Sequence, residues 1–169
     1  MKFKNKALRI ACDGGAASGK SLAAKLVGQK YGLYVLNSGI FYRYASFLII
    51  KHKPKKITSF LKKKFKNINS KNIFKLGLHT QEISEHVVNL AKQKKVRNII
   101  RTFQKKLIKK YPRIVVEGRD TASSIMHKNP RYTVAFYFSC SLDVASYRRW
   151  KDLKKKIPLK EIKKTLKNR

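Results

Sequence analysis

The chain has 169 residues, of which 43% are hydrophobic, so it is long and apolar enough for one domain with a core and is not a disordered tail. It contains 42 lysines and arginines but only 8 acidic residues, which gives a formal net charge of +34. This charge favours polyanions, yet lysines can also cover a surface without a dedicated partner, so we expect at most nonspecific contact with nucleic acid. Cys12 and Cys140 show no metal or disulfide spacing, and no apolar run approaches the ~20 residues of a membrane helix. We therefore expect a reducing, cytoplasmic location and no membrane partner.

The first predicted elements are a strand, a loop and a helix. Residues 8–12 form a short apolar run typical of a buried parallel strand, and apolar residues recur at helical spacing over 22–27. The residues between them fit G-x-x-x-x-G-K-S/T, the phosphate-binding P-loop: Gly14, Gly15, Ala16, Ala17, Ser18, Gly19, Lys20 and Ser21. We predict that these residues and Leu22 bind ATP.

The residue types of this loop suit phosphate binding. Gly14 and Gly19 let the backbone turn tightly and approach phosphate oxygens, while backbone N–H groups and the helix N-terminus supply partial positive charge. Lys20 adds a full charge near the β- and γ-phosphates, and Ser21 can ligate Mg²⁺. The motif therefore predicts a catalytic role for Lys20 and Mg²⁺ as the cofactor that accompanies ATP.

The rest of the chain alternates strands with helices. We predict strands at 33–36, 114–116 and 132–138, helices at 40–50, 81–92, 94–110, 142–156 and 159–169, and a short helix with a loop over 51–75. This alternation implies an α/β fold, a P-loop NTPase-like three-layer sandwich with a parallel sheet of about four strands and helices on both faces. Ligands in such sheets bind beyond the carboxyl ends of the strands. We expect three segments to converge there: the P-loop, 37–39 and 117–120.

These three segments also give the sequence its resemblance to the bacterial cytidylate kinases. Residues 13–21 resemble the family's Asp-Gly P-loop opening, and residues 36–43, Leu-Asn-Ser-Gly-Ile-Phe-Tyr-Arg, resemble Leu-Asp-Ser-Gly-x-x-Tyr-Arg. Residues 117–120, Glu-Gly-Arg-Asp, resemble Asp-Gly-Arg-Asp, and residues 80–83 followed by 96–97 are similar to the helical part of the monophosphate-binding region. Adenylate, shikimate and dephospho-CoA kinases share the P-loop but carry other residues at the two later motifs.

The resemblance implies an enzyme that transfers the γ-phosphate of ATP to CMP or dCMP. It implies one kinase domain over 1–169, with a core at 7–36 and 112–140, a monophosphate-binding region at 37–111 and the start of a lid at 141–169. We expect a monomer if the chain is complete. Three alternatives stay open: a P-loop kinase for another small phosphate acceptor, a nucleotide-binding relative with little activity, and a basic nucleic-acid-binding P-loop protein.

The resemblance also assigns the acceptor site. Ser38 and Arg43 would contact CMP, with Arg43 on its phosphate and Arg119 on that phosphate from the opposite side. A planar guanidinium matches a phosphate in geometry and charge. Asp120 and Arg97 would read the cytosine edge, because a carboxylate accepts the proton of the exocyclic amine that uracil lacks. Ser38 could alternatively cap the helix that follows it.

Charge stabilisation during transfer is assigned to arginines. The resemblance makes Arg119, Arg148 and Arg149 catalytic together with Lys20, and Arg169 is a further candidate for the lid. Glu117 is expected to contact the metal through water.

The chain departs from the family pattern at several places. Asn37 replaces an aspartate, Leu22 a threonine and Val88 a serine that would contact the base, so base recognition should be looser. The segment 51–75 is shorter than the family's insert, and we expect its small sheet to be missing. The resemblance predicts a further lid segment, a final strand and a final helix after residue 169. Three explanations of the shorter chain stay open: a natural minimal form, a truncated reading frame and a fragment. Without these further elements, 132–138 would form an exposed edge of the sheet.

Overall fold

Four parallel strands form one sheet in the computed structural model, which describes residues 6–66, 68, 70–73 and 76–167. The strands are β1 (Leu8–Gly14), β2 (Tyr34–Asn37), β3 (Arg113–Gly118) and β4 (Val134–Phe138), and their order across the sheet is β2-β3-β1-β4. All three pairings are parallel, so the carboxyl ends of the strands meet at one edge. This confirms the predicted α/β class and the predicted number of strands.

The helices account for most of the remaining described residues. They are α1 (Lys20–Tyr31), α2 (Gly39–His52), α3 (Ile57–Lys66), α4 (Ser70–Ile73), α5 (Gln81–Leu90), α6 (Lys94–Lys110), α7 (Leu142–Asp152) and α8 (Leu159–Lys167). A π-helical turn, Thr121–Ile125, follows β3. No strand occurs among the described residues of 38–111, which are helical or irregular.

Helices cover both faces of the sheet because side chains of a strand point alternately to either side. Ala11, Ile114 and Val116 lie in a core cluster with residues of α2, α3, α5 and α6. Cys12 and Val115 lie in a second cluster with α1, on the opposite face. The two clusters establish three layers, and the larger one supports the region between β2 and β3.

Some predicted boundaries were wrong. The helix predicted over 142–156 ends at Asp152, because Lys154 and Lys155 have φ of 53° and 61°, which a right-handed helix cannot contain. The segment predicted as a short helix with a loop contains the ten-residue α3, which is held down by the buried Leu61 and Phe65. These residues are four apart and therefore share one helix face.

β4 is an edge strand of the described sheet, as predicted. Its central side chains are exposed, with Phe136 at 48% and Tyr137 at 75%. No helix in the described part of the chain combines the length and apolar composition needed to cross a membrane.

Candidate active site

The P-loop connects β1 to α1, and glycines allow the connection at both ends. Gly14 has a φ of 155°, and a Cβ there would lie 2.3 Å from the carbonyl oxygen of Phe138 in the neighbouring strand. Gly19 precedes α1 with a φ of 96°. Any other residue at Gly14 would clash with β4 backbone, so the strand ends can approach only because the side chain is missing.

Lys20 lies at the end of this loop, near the carboxylates of Glu117 and Asp13. Its Nζ donates a hydrogen bond of 2.8 Å to the carbonyl oxygen of Gly15. Burial lowers the pKa of Lys20, the charge of Glu117 opposes that change, and Arg119 adds to it. The ammonium thus lies between the P-loop and the end of β3, where an anionic phosphate would stabilise its charge.

Glu117, near the carboxyl end of β3, lies close to Lys20 and Ser21 of the P-loop. The residue is only 4% exposed, and burial raises the pKa of its carboxyl while Lys20 and a hydrogen bond from the Ser21 hydroxyl oppose the rise. A hydroxyl and a carboxylate are hard oxygen ligands of the kind Mg²⁺ takes, usually together with waters and substrate phosphates. The described residues contain no cluster of three or more His, Cys, Asp or Glu side chains suited to a metal. Ser21 and Glu117 are therefore the residues here whose oxygens could hold a Mg²⁺ ion.

Asp13 supports the site from beneath. Its buried carboxylate accepts hydrogen bonds from the backbone N–H groups of Thr121 (2.7 Å) and Ala122 (2.8 Å), and from the Thr121 hydroxyl. These contacts tie β1 to the π-helical turn that directly follows Asp120. The aspartate before the P-loop therefore positions the segment 117–120.

Ser38 packs tightly against that segment. Its N–H donates to the carbonyl oxygen of Glu117 at 2.8 Å, and a Cβ on Gly118 would lie 3.1 Å from the Ser38 Cβ. Helix α2 is capped by Asn37, whose Oδ1 accepts from the N–H of Ile40 at 3.0 Å, whereas Ser38 makes no side-chain cap. The alternative role of Ser38 as a helix cap is wrong, and Asn37 retains the acceptor needed for capping.

Gln104 holds Ser38 and was missed by the sequence analysis. Its Nε2 donates to the Oγ of Ser38 at 2.9 Å and to its carbonyl oxygen at 3.2 Å, and the residue is fully buried. Its Oε1 is buried, and no described residue donates a hydrogen bond to it. A signal existed in the sequence, because Gln104 falls in a row of buried residues spaced four apart along α6 (Val96, Ile100, Gln104, Ile108).

Arginines from two elements converge near His79. The guanidinium of Arg43 on α2 donates to the carbonyl oxygen of Leu78 at 3.1 Å and to the Ser84 hydroxyl at 2.9 Å. The pKa of His79 is lowered by burial and by the charges of Arg43 and Arg149. The structure thus brings predicted acceptor-side and lid arginines to one region, and His79 is an addition to the predicted set.

Asp120 forms ion pairs with two arginines of α6. Its Oδ2 lies 3.1 Å from the NH2 nitrogen of Arg97 and 3.1 Å from that of Arg101. The predicted pair of Arg97 and Asp120 is therefore in contact, and Arg101 joins it. Val88, at the position that departs from the family, is 40% exposed on α5.

A cleft of about 400 Å³ opens at the P-loop, lined by Gly14, Gly15, Ala16, Ser18, Arg119, Cys140 and residues of β4, α7 and α8. Arg148 on α7 donates to the carbonyl oxygen of Ala17 at 3.3 Å. Arg148 and Arg119 thus border the loop, while the charge of Arg149 acts on His79. Leu22 is 63% exposed on α1, and Arg169 lies outside the described residues.

Comparisons with known proteins point to one family. The family model for cytidylate kinase matches residues 10–169. The cytidylate kinase of Clostridium botulinum is 30% identical over 177 aligned residues, which cover 96% of this chain and 79% of that protein. The cytidylate kinases of Thermosipho melanesiensis (31%; 88% of this chain, 70% of theirs) and Lactococcus lactis (28%; 90% and 74%) are also similar.

One solved structure supports the fold. A crystal structure from Thermus thermophilus matches with a TM-score of 0.50 at 14% identity and covers 94% of this chain and 78% of that one. At this identity the likeness concerns the fold alone.

Proposed function

The chain belongs to the cytidylate kinase family, and from this we propose that it transfers the γ-phosphoryl group of ATP to CMP or dCMP. The observation that carries the proposal is the meeting of three motifs at the carboxyl edge of one sheet. The Ser38 N–H donates to the Glu117 carbonyl oxygen, the Ser21 hydroxyl of the P-loop bonds the Glu117 carboxyl, and Asp13 before the P-loop accepts from the turn that follows Asp120. We further propose one domain, with a core at 7–36 and 112–140, an acceptor region at 37–111 and a lid from 141.

The donor side holds the triphosphate. The P-loop N–H groups and the N-terminus of α1 provide partial positive charge, and Lys20 would exchange its bond to Gly15 for a phosphate oxygen. Arg119 lines the same cleft and Arg148 donates to the P-loop at Ala17, so their guanidinium groups can stabilise charge on the moving phosphoryl group, and Arg119 would also contact the CMP phosphate. Ser21 would hold Mg²⁺, with Glu117 reaching it through water, and the ion would neutralise phosphate charge.

The acceptor side holds the monophosphate and its base. Arg43 donates to the carbonyl oxygen of Leu78 beside His79, the charge of Arg149 also acts on His79, and two guanidinium groups would suit a phosphate dianion there. Ser38 accepts a hydrogen bond from Gln104, which leaves its hydroxyl proton free to be donated to the acceptor. Asp120 and Arg97 present an acceptor and a donor to the cytosine edge.

The reaction needs orientation more than covalent chemistry. An oxygen of the CMP phosphate attacks the γ-phosphorus of ATP, the bond between that phosphorus and the β–γ bridging oxygen breaks, and CDP and ADP leave. Holding both anions in line converts a bimolecular reaction into an effectively unimolecular one. No general base is required, because the attacking phosphate oxygen already carries negative charge.

A coupled ADP-release assay tests the proposal. CMP, dCMP, UMP and AMP are compared as acceptors, with a reaction lacking acceptor as the blank and the Lys20→Met variant as the control for contaminating kinases. We expect CMP and dCMP to give the highest kcat/KM. Turnover of AMP equal to that of CMP would contradict the assignment and favour a kinase for another acceptor.

A further inference from the structure

Asp120 and Arg97, which we propose to bind the cytosine edge, contact a further arginine, Arg101, that recognition of cytosine does not require. Arg97 and Arg101 lie one turn apart on α6, and both donate to the same oxygen, Oδ2 of Asp120, at 3.1 Å. The Arg101 side chain is 24% exposed, against 39% for Arg97 and 40% for Asp120, so all three reach the surface of the site. Two guanidinium groups and one carboxylate leave a net charge of about +1.

Tyr42 lies close to Asp120 and both arginines. Tyr42 on α2 is partly buried. Burial raises the pKa of its hydroxyl and the charge of Asp120 raises it further, whereas the charges of Arg101 and Arg97 and a hydrogen bond donated by Arg97 lower it. Arg97 is therefore engaged from two sides. Among the described residues, Arg101 donates a hydrogen bond to Asp120, and a guanidinium carries five N–H donors. Arg101 thus retains donors for a ligand that approaches the carboxylate.

Cytosine and uracil present opposite patterns to such a group. Cytosine offers an amine donor at position 4 and an acceptor at N3, whereas uracil offers an oxygen acceptor at position 4 and an N–H donor at N3. One carboxylate and one guanidinium can match cytosine, with Asp120 on the amine and Arg97 on N3. A second guanidinium beside the same carboxylate oxygen can donate to O4 of uracil while Asp120 accepts from N3–H.

We propose that Arg101 makes this site accept uracil as well as cytosine, so that UMP is a second phosphoryl acceptor. The inference rests on the proposed function, because it places the acceptor base at Asp120. The step is the same transfer: a UMP phosphate oxygen attacks the γ-phosphorus, the bond to the β–γ bridging oxygen breaks, and UDP and ADP form. The exposed Val88 on α5 adds no polar group that would exclude either base.

The test compares Arg101→Met with Lys106→Met, which removes one positive charge from an exposed position on the same helix. For wild type and both variants, kcat/KM is measured with CMP and UMP, and equilibrium binding of CMP, UMP and AMP is measured by calorimetry without ATP. We expect Arg101→Met to lower kcat/KM and affinity for UMP by about 10- to 100-fold, since a hydrogen bond from a charged donor is lost. Both values for CMP should change less than about threefold, and Lys106→Met should leave the UMP to CMP ratio unchanged.

The outcomes separate this inference from the proposed function. If the wild type phosphorylates CMP but binds UMP no better than AMP, the role of Arg101 is overturned and the function stands. If Arg101→Met weakens CMP and UMP equally, Arg101 only positions Asp120 and the inference is overturned. If turnover is absent but UMP binding falls selectively in Arg101→Met, the base recognition holds and the kinase assignment fails. Failure to bind either pyrimidine monophosphate would overturn both.

Discussion

Replacing Gln104 by leucine tests whether this buried amide serves the acceptor site or only the core. The substitution removes two hydrogen bonds to Ser38, of 2.9 and 3.2 Å, each worth ~1 kcal/mol of net stability. It also removes Oε1, to which no described residue donates, and burying such an acceptor costs ~1–3 kcal/mol. The two effects nearly cancel, so the free energy of unfolding should change by no more than ~1 kcal/mol, which corresponds to about 2–4 °C in Tm.

Activity should respond differently from stability. Without the donor from Gln104, the Ser38 hydroxyl is free to rotate, and its proton is no longer directed toward the acceptor. We expect KM for CMP to rise by about tenfold, the equivalent of one hydrogen bond, while KM for ATP stays within about twofold. The assay is steady-state kinetics with each substrate varied in turn, alongside thermal melts.

Two further variants make the result decisive. Ile100→Val shortens a fully buried neighbour in the same row of α6, so it should lower Tm at a cost of ~0.5–1.5 kcal/mol without changing KM for CMP. Ser38→Ala should raise KM for CMP as Gln104→Leu does, and the double variant should be no worse than either single one, because both remove one interaction. A large loss of stability in Gln104→Leu with an unchanged KM for CMP would refute the positioning role.

Three other substitutions test the remaining parts of the site. Lys20→Met should lower kcat by about 10²- to 10³-fold without lowering Tm, since one preorganised charge is lost; turnover within a few-fold of wild type would contradict its role. Arg43→Met should raise KM for CMP far more than KM for ATP, and equal effects on both substrates would show that it is assigned to the wrong side. Glu117→Gln should lower kcat yet raise Tm at pH 7, because burial raises the pKa of Glu117 and its ionised form therefore destabilises the fold. In the unfolded chain the Glu117 carboxyl has its ordinary pKa of 4.5, so it loses its proton at a lower pH than in the folded protein. Below that pH both states are protonated, and the gain in Tm should vanish. A gain that is independent of pH would contradict this cause.

The sequence predicts the architecture of the site because each motif combines a backbone requirement with a chemical one. Gly14 must lack a side chain to pass the carbonyl oxygen of Phe138, and Gly118 must lack one to admit Ser38. Both requirements come from contacts with distant parts of the chain, yet each leaves a glycine at a fixed place in a motif. The order of strand, loop and helix then brings the motifs to one edge of the sheet.

The contacts between motifs could not be predicted in the same way. Gln104 and Arg101 lie on α6, far along the chain from Ser38 and Asp120, and only the packing of α6 beside the sheet brings them together. Among 42 basic residues, nothing local distinguishes Arg101 from its neighbours. Helix α7 ends at Asp152 because Lys154 and Lys155 have a left-handed backbone conformation, and a lysine in a sequence does not indicate that conformation.

Phosphorus NMR of a mixture of ATP, Mg²⁺, CMP and the protein tests the central claim most directly. Transfer to CMP predicts that CDP and ADP resonances grow together in equal amounts and that both grow about 10²- to 10³-fold more slowly in the Lys20→Met sample. Growth of ADP with inorganic phosphate and without CDP would contradict the account, because it would show that water and not the CMP phosphate attacks the γ-phosphorus.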